Sequence, residues 1–136
     1  MERLIDHWSK GYGAIYNPLR SDALSKVRIR YDLAEMVEEL RQEGEPMILG
    51  TSSRERAGKG ITYGEVREAI AKAEHPTHIL FGTGWGLSDE VVGLCERMLV
   101  PIRGKGDYNH LPLRVALGIT LDRILGERGG QDERDS

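Results

Sequence analysis

Two glycine-rich turns hold most of the residues in this chain whose types and spacing could do chemistry. The first, Gly82-Thr83-Gly84-Trp85-Gly86-Leu87-Ser88, follows the short apolar run Ile79-Leu80-Phe81 and leads into Ser88-Asp89-Glu90, a favourable helix start. A strand, a glycine turn and a helix N-terminus form a ligand cradle. Glycines admit positive φ or close backbone approach, and N–H groups at a helix start point outward toward a polar group. The second turn, Arg103-Gly104-Lys105-Gly106-Asp107-Tyr108-Asn109-His110, leads into Leu111-Pro112-Leu113-Arg114, where proline suits a first helical turn. Asn109, His110 and Arg114 thereby gather, with a helix dipole, beside the glycines.

Two common phosphate-binding patterns are excluded. The spacing G-x-G-x-G-L lacks the third glycine of the dinucleotide fingerprint, and no acidic residue closes the next expected strand, Met98-Leu99-Val100-Pro101-Ile102. Gly58-Lys59-Gly60 is not a P-loop: Gly50 is too distant upstream, and Gly60 stands where Ser or Thr is required. His7, His75 and His78 have no cysteine or histidine partners at ligand spacing, so no metal is expected. The single cysteine, Cys95, precludes an internal disulfide and lies near Val91, Val92, Leu94 and Met98, which makes it a small core residue.

The elements that must position these turns alternate between helix and strand. Glu2 to Ser9 reads as a helix with Leu4, Ile5 and Trp8 on one side. A loop is expected over residues 11–22 and a short strand near Val27-Arg28-Ile29-Arg30. Asp32 with Glu35 caps a helix bearing Leu33, Met36, Val37 and Leu40 and ended by Gly44. Met47-Ile48-Leu49 reads as a buried strand with Thr51-Ser52-Ser53-Arg54 as its exit loop. Thr62 with Glu65 caps a helix whose inner face is Val66, Ala69, Ile70 and Ala73. From Leu113 onward, positions 113, 116, 117, 120, 121, 124 and 125 form a stripe that predicts a packed helix. Strands separated by helices call for a parallel sheet, and ligands bind such sheets beyond the C-terminal strand ends. The segments 51–54, 82–86 and 104–109 all fall on that one edge.

At 136 residues the chain is long enough for one domain with a real core, and 39% hydrophobic against 30% charged is ordinary globular composition. Apolar runs are only a few residues long, so no membrane span or targeting stretch is expected and the cytoplasm is the expected location. The net charge of −3 argues against a protein that coats nucleic acid generally, but the charge is unevenly distributed. Residues 1–30 are basic on balance, and Arg97, Arg103, Lys105 and Arg114 stand against Asp107 alone. These segments border the ligand turns and could meet RNA phosphates, or could be ordinary solvated faces. The loop Gly11-Tyr12-Gly13-Ala14-Ile15-Tyr16-Asn17-Pro18 could stack an unpaired base through Tyr12, Tyr16 and Asn17, or simply pack as a turn. The segment 127–136 reads as an acidic disordered tail.

Taken together, these strings resemble the SPOUT (α/β-knot) class of S-adenosylmethionine (SAM)-dependent RNA methyltransferases, whose members carry a G-x-x-x-G-L-S turn, a later glycine loop and an N-x-x-x-x-A helix. Gly82 to Ser88 looks like the first element; Ile102 to Leu111, with Arg114 and Ala116, looks like the second. The wording FGTGWGLSDE, DYNHLPLR and HWSKGYGAIYNP is similar to a bacterial subfamily sometimes fused to a tRNA methyltransferase, and the likeness spans residues 1–126, a SPOUT-like methyltransferase domain. The resemblance implies an α/β fold: a Rossmann-like parallel sheet with a C-terminal trefoil knot. Members begin with a strand and an RNA-facing loop, so the first strand is expected to be missing here.

The resemblance further implies SAM as methyl donor, RNA (tRNA or rRNA) as substrate and a homodimer. Backbone groups of Phe81, Gly82, Gly84, Gly86 and Leu87 and of Ile102, Gly104, Tyr108, Asn109 and Leu111 would hold the donor, with Thr51 and Ser52 closing a third side. Arg54, Asp107, His110 and Arg114 are the candidates for assisting transfer. The arginines would orient and stabilise a developing anion, and Asp107 or His110 would accept a proton. Each also has a plainer reading, as loop cation, turn residue or helix-terminal hydrogen bonder. The alternative at the level of function is a non-catalytic cofactor-binding or dimerisation module.

Overall fold

The computed structural model describes residues 2–11, 17–56, 58–72 and 76–127. The chain divides into two compact units, residues 1–39 and 40–136. In the first unit, α1 (Glu2–Ser9) packs with α2 (Pro18–Ser25), and α3 (Leu33–Gln42) begins. Helix α2 starts within the expected 11–22 loop because Asn17 caps it, its Oδ1 accepting from Arg20 N at 3.1 Å, and Pro18 supplies the preset φ of a first helical residue. Asn17 thus has a structural role, while Tyr12 and Tyr16 lie outside the described residues.

The strand expected near Val27 to Arg30 does not form. Residues 27–30 are irregular and pair with no strand among the described residues, and Val27 is exposed, so the apolar/polar alternation there has neither a ladder nor a buried face to serve. Arg30 instead donates through Nε to both carboxylate oxygens of Glu39 at 3.0 Å. Asp32 caps α3 as expected, accepting from Ala34 N at 2.7 Å and Glu35 N at 3.1 Å. Gly44 follows its end at φ 127°, in the region that favours glycine.

The second unit carries a four-stranded parallel sheet in the order β2-β4-β1-β3, built from β1 (Met47–Gly50), β2 (Gly60–Ile61), β3 (Thr77–Leu80) and β4 (Arg97–Leu99). Strand β2 was not anticipated, since two residues leave no periodicity to read. Strand β4 ends at Leu99 rather than at Ile102, as suits a segment whose Pro101 has no N–H to give a ladder. Between the strands run α4 (Tyr63–Lys72) and α5 (Asp89–Leu94), and α6 (Leu113–Leu125) closes the unit.

Side chains alternate across the sheet. Leu49, Ile61 and Leu99 join Tyr63 and Val66 of α4 and Ile124 of α6 in one buried cluster, with Met47, Ile70, Ile79, Val100 and Ile102 around it. On the other face Ile48 and Met98 are buried, as is Cys95, whose thiol is pushed above its ordinary value by that burial. Helix α4 has the full reciprocal cap read from Thr62 and Glu65: Glu65 N donates to Thr62 Oγ1 at 3.2 Å and Thr62 N to Glu65 Oε2 at 2.8 Å. Helices α4 and α6 pack together, and Arg67 Nη1 donates to Arg123 O at 2.6 Å.

The stripe on α6 needs correction. Thr120 and Ile124 are buried, but Leu113, Leu117, Leu121 and Leu125 are 39–67% exposed. The helix lies on the sheet along one narrow line, and the neighbouring leucine row faces outward.

Candidate functional site

Because all strands run parallel, the loops leaving β1, β3 and β4 emerge at one edge of the sheet, and a cavity of about 690 Å³ opens among them. This volume suits a nucleoside-sized ligand. The entire lining comes from the second unit.

After β1, the chain is fastened to its neighbour strand: Thr51 N and Thr51 Oγ1 both donate to Leu80 O, at 3.1 and 2.9 Å. Thr51, Ser52, Ser53 and Arg54 therefore enter the wall as a fixed loop, in which Arg54 N donates to Ser52 Oγ at 3.1 Å. After β3, the turn is set by glycine geometry. Gly84 and Gly86 have φ of 49° and 86°, Gly86 N donates to Thr83 O at 2.9 Å, and Thr83 and Gly86 form an isolated bridge. Gly82 is needed for a different reason: an added Cβ would lie 2.5 Å from Leu87 N and 2.6 Å from Gly86 Cα. Ser88 then caps α5, accepting from Val91 N at 3.3 Å.

The loop after β4 has no positive φ. It is held by side chains: Asn109 Nδ2 donates to Ser53 O at 2.6 Å, and Arg103 pairs with Glu55 at 2.9 Å. Asn109 therefore ties the third loop to the first across the cavity mouth.

Ten of the twelve residues expected to hold a cofactor line this cavity: Thr51, Ser52, Phe81, Gly82, Gly84, Gly86, Leu87, Ile102, Asn109 and Leu111. Gly104 and Tyr108 are not in the wall; Tyr108 is 79% exposed, its ring tilted against His110 with centroids 5.9 Å apart. Of the four candidates for assisting transfer, Arg54 and His110 are in the wall, whereas Asp107 and Arg114 are exposed and outside it.

Sequence reasoning missed Arg56, which lines the cavity and pairs with Asp89 at 3.7 Å. It also missed the floor, made by Tyr63, Leu99, Val100, Ala116 and the fully buried Thr120. A polar residue set in the apolar stripe of α6 was the available signal for Thr120. Tyr63 is fixed by donating its hydroxyl to Val100 O at 3.2 Å and by the Arg123 guanidinium 5.1 Å over its ring. Beside it, hydrogen bonds from the Thr62 backbone N–H and then its hydroxyl hold the Glu65 carboxyl below its ordinary range.

Comparison with known proteins identifies the family. A family model described as SAM-dependent RNA methyltransferase matches residues 1–126. The chain belongs to that family. It is 37% identical over 130 residues to a tRNA (guanine-N(1)-)-methyltransferase of Nitratidesulfovibrio vulgaris, covering 93% of this chain and 29% of that protein. The same figures hold for a tRNA (guanine-N(1)-)-methyltransferase of Oleidesulfovibrio alaskensis. An uncharacterized protein of Aquifex aeolicus is 34% identical over 127 residues, 92% of this chain and 62% of its own length. The chain thus spans under a third of the two named methyltransferases. Among solved structures, a probable methylase family protein from Haemophilus influenzae Rd KW20 superposes with a TM-score of 0.61 at 25% identity, over 78% of this chain and 48% of that one.

The residues present fit the methyl donor implied by the family. The cavity pairs an apolar interior, Phe81, Leu87, Val92 and Ile102, with hydroxyl, amide and guanidinium groups at its mouth, and three glycines keep its rim free of side chains.

Proposed function

We propose that this chain is the SAM-binding part of an RNA methyltransferase of the SPOUT class, with α6 threaded as a trefoil knot and with two copies forming the working unit. The observation that carries this reading is the cavity of about 690 Å³ bordered by the loops after β1, β3 and β4, with Asn109 clasping Ser53 across its mouth. Support for the dimer is the outward leucine row of α6, too apolar and too continuous for a solvated face.

SAM brings a methyl group already activated by its sulfonium, so the protein's work is alignment and proton removal. Phe81, Gly82, Gly84, Gly86 and Leu87 form one wall for the adenosine, and Ile102, Asn109 and Leu111 the opposite one, with Thr51 and Ser52 closing the third side. Arg54, always protonated, orients the RNA and offsets negative charge that develops on the attacking atom. His110, at the same rim, takes the proton released by that atom. Asp107, Gly104, Tyr108 and Arg114 lie just outside the cavity, where the bound RNA or the second copy would meet them. tRNA is the first substrate class to test, because two relatives carry that name.

The test is calorimetric binding of SAM to this chain and to Asn109→Ala, followed by labelled methyl transfer to unfractionated tRNA. Micromolar binding lost in the variant supports the pocket. A folded chain that does not bind SAM ends the reading, and binding without transfer leaves a cofactor-binding module instead.

A further inference from the structure

The first glycine turn carries an exposed aromatic side chain at the cavity wall. Trp85, the largest apolar side chain available to a protein, is fully exposed at the wall of the cavity, among the residues that line it. The backbone that carries it is constrained. The Thr83–Gly86 bridge and the positive φ of Gly84 and Gly86 close the turn beneath it, and the turn itself belongs to the cavity wall. On this closed backbone only the two side-chain torsions of the indole have to be ordered when it meets a flat partner.

The partner's chemistry follows from the surroundings. Its neighbours along the turn, Thr83, Gly84 and Gly86, add no large apolar side chain beside the indole. Arg54 and Arg56 stand on the same cavity rim and supply positive charge. An isolated aromatic platform beside guanidinium groups is the arrangement that takes an unpaired nucleobase, with its phosphate on the cations.

We propose that Trp85 stacks on an unpaired base of the RNA substrate next to the nucleotide that enters the cavity, and so sets which single-stranded positions are accepted. This rests on the methyltransferase reading above.

The experiment compares the parent chain with Trp85→Ala and Trp85→Phe for binding of unfractionated tRNA and, separately, of SAM. Trp85→Ala is expected to weaken tRNA binding roughly ten-fold or more, with Trp85→Phe in between because its ring retains a π-face. SAM affinity is expected to fall much less than tRNA affinity, since the indole stands at the cavity wall but is fully exposed and buries no surface there. tRNA quenches indole emission in the parent, and that quenched component is absent in Trp85→Phe. Four results overturn the proposal: unchanged tRNA affinity in Trp85→Ala; lost SAM affinity instead, which makes the indole a lid on the donor; a change in oligomeric mass, which makes it a protein contact; or a parent chain that binds SAM but no tRNA. A parent that binds neither fails at the level of the methyltransferase reading itself.

Discussion

The two glycine turns look alike in sequence and are built on opposite principles. Residues 82–87 are shaped from within: Gly84 and Gly86 need positive φ, and Gly82 needs the space that a Cβ would take from the backbone of residues 86 and 87. Residues 103–110 are shaped from without. Gly104 and Gly106 have ordinary backbone and open space around them, and the loop keeps its place because Asn109 reaches Ser53 O and Arg103 reaches Glu55. A turn shaped by backbone geometry is rigid in isolation, whereas one held by tertiary contacts can yield when a ligand or RNA arrives. This contrast suits a cavity in which one wall is preformed and the other can adjust to a bound ligand.

Substitutions can break or sharpen that contrast. The largest effect is expected from Gly82→Ala: its Cβ meets backbone, which cannot step aside, so it should cost at least about 1–3 kcal/mol and abolish measurable SAM binding. Denaturant unfolding and calorimetry measure both, and an unaltered Gly82→Ala chain would refute the claim that backbone geometry shapes this turn. Next comes Asn109→Ala, which leaves the half-buried Ser53 carbonyl without its donor at a cost of about 1–3 kcal/mol. Its mark should be faster amide exchange confined to residues 103–110 and 51–54; spread through the sheet instead, it would show that the loop is not locally anchored.

Gly84→Ala and Gly86→Ala should each cost about 1–2 kcal/mol, the ordinary penalty of positive φ for an L-residue. Gly104→Ala and Gly106→Ala, by the same reasoning, should be neutral or stabilise by about 0.4–1 kcal/mol, because they only restrict the unfolded chain. Equal costs at all four positions would erase the distinction between the turns.

The smallest effect belongs to the cap at Thr62 and Glu65, which sets the start of α4 beneath the cavity. The carboxyl of Glu65 is held below its ordinary value by the Thr62 hydrogen bonds, so its contribution is complete above the ordinary carboxylate range and is lost as pH falls through the folded value. Parent and Glu65→Gln should therefore differ in melting temperature near neutral pH and converge in acid. A gap that persists unchanged into strong acid would mean that the charge of Glu65 contributes nothing.

Much of the fold was legible because it rests on local rules. The caps at Asp32, Thr62 and Ser88 and the parallel arrangement were read from spacing and composition, as was the sheet edge where the cavity opens; the strands read at 47–49 and 79–81 form at 47–50 and 77–80. The errors fell where local pattern had no tertiary partner. Val27 to Arg30 alternates like a strand but has nothing to pair with, and Pro18 to Ser25 folds as a helix with no buried residue and hence little periodicity. On α6 the leucine row 113, 117, 121 and 125 was indistinguishable in sequence from the buried line through Thr120 and Ile124, because both repeat at helical spacing.

The candidate site divides the same way. Sequence by itself determined which residue types could hold a nucleoside-like donor, and where: glycines, hydroxyls and an amide at the ends of buried strands, since backbone freedom and hydrogen-bonding capacity are properties of single residues. Only the tertiary structure decided that Asn109 clasps Ser53, that Arg54 and His110 share the cavity with Arg56 while Asp107 and Arg114 do not, and that Trp85 stands exposed at the cavity wall. Those facts depend on distances between segments tens of residues apart, which are set by the packing of the sheet against α4 and α6 rather than by any local preference.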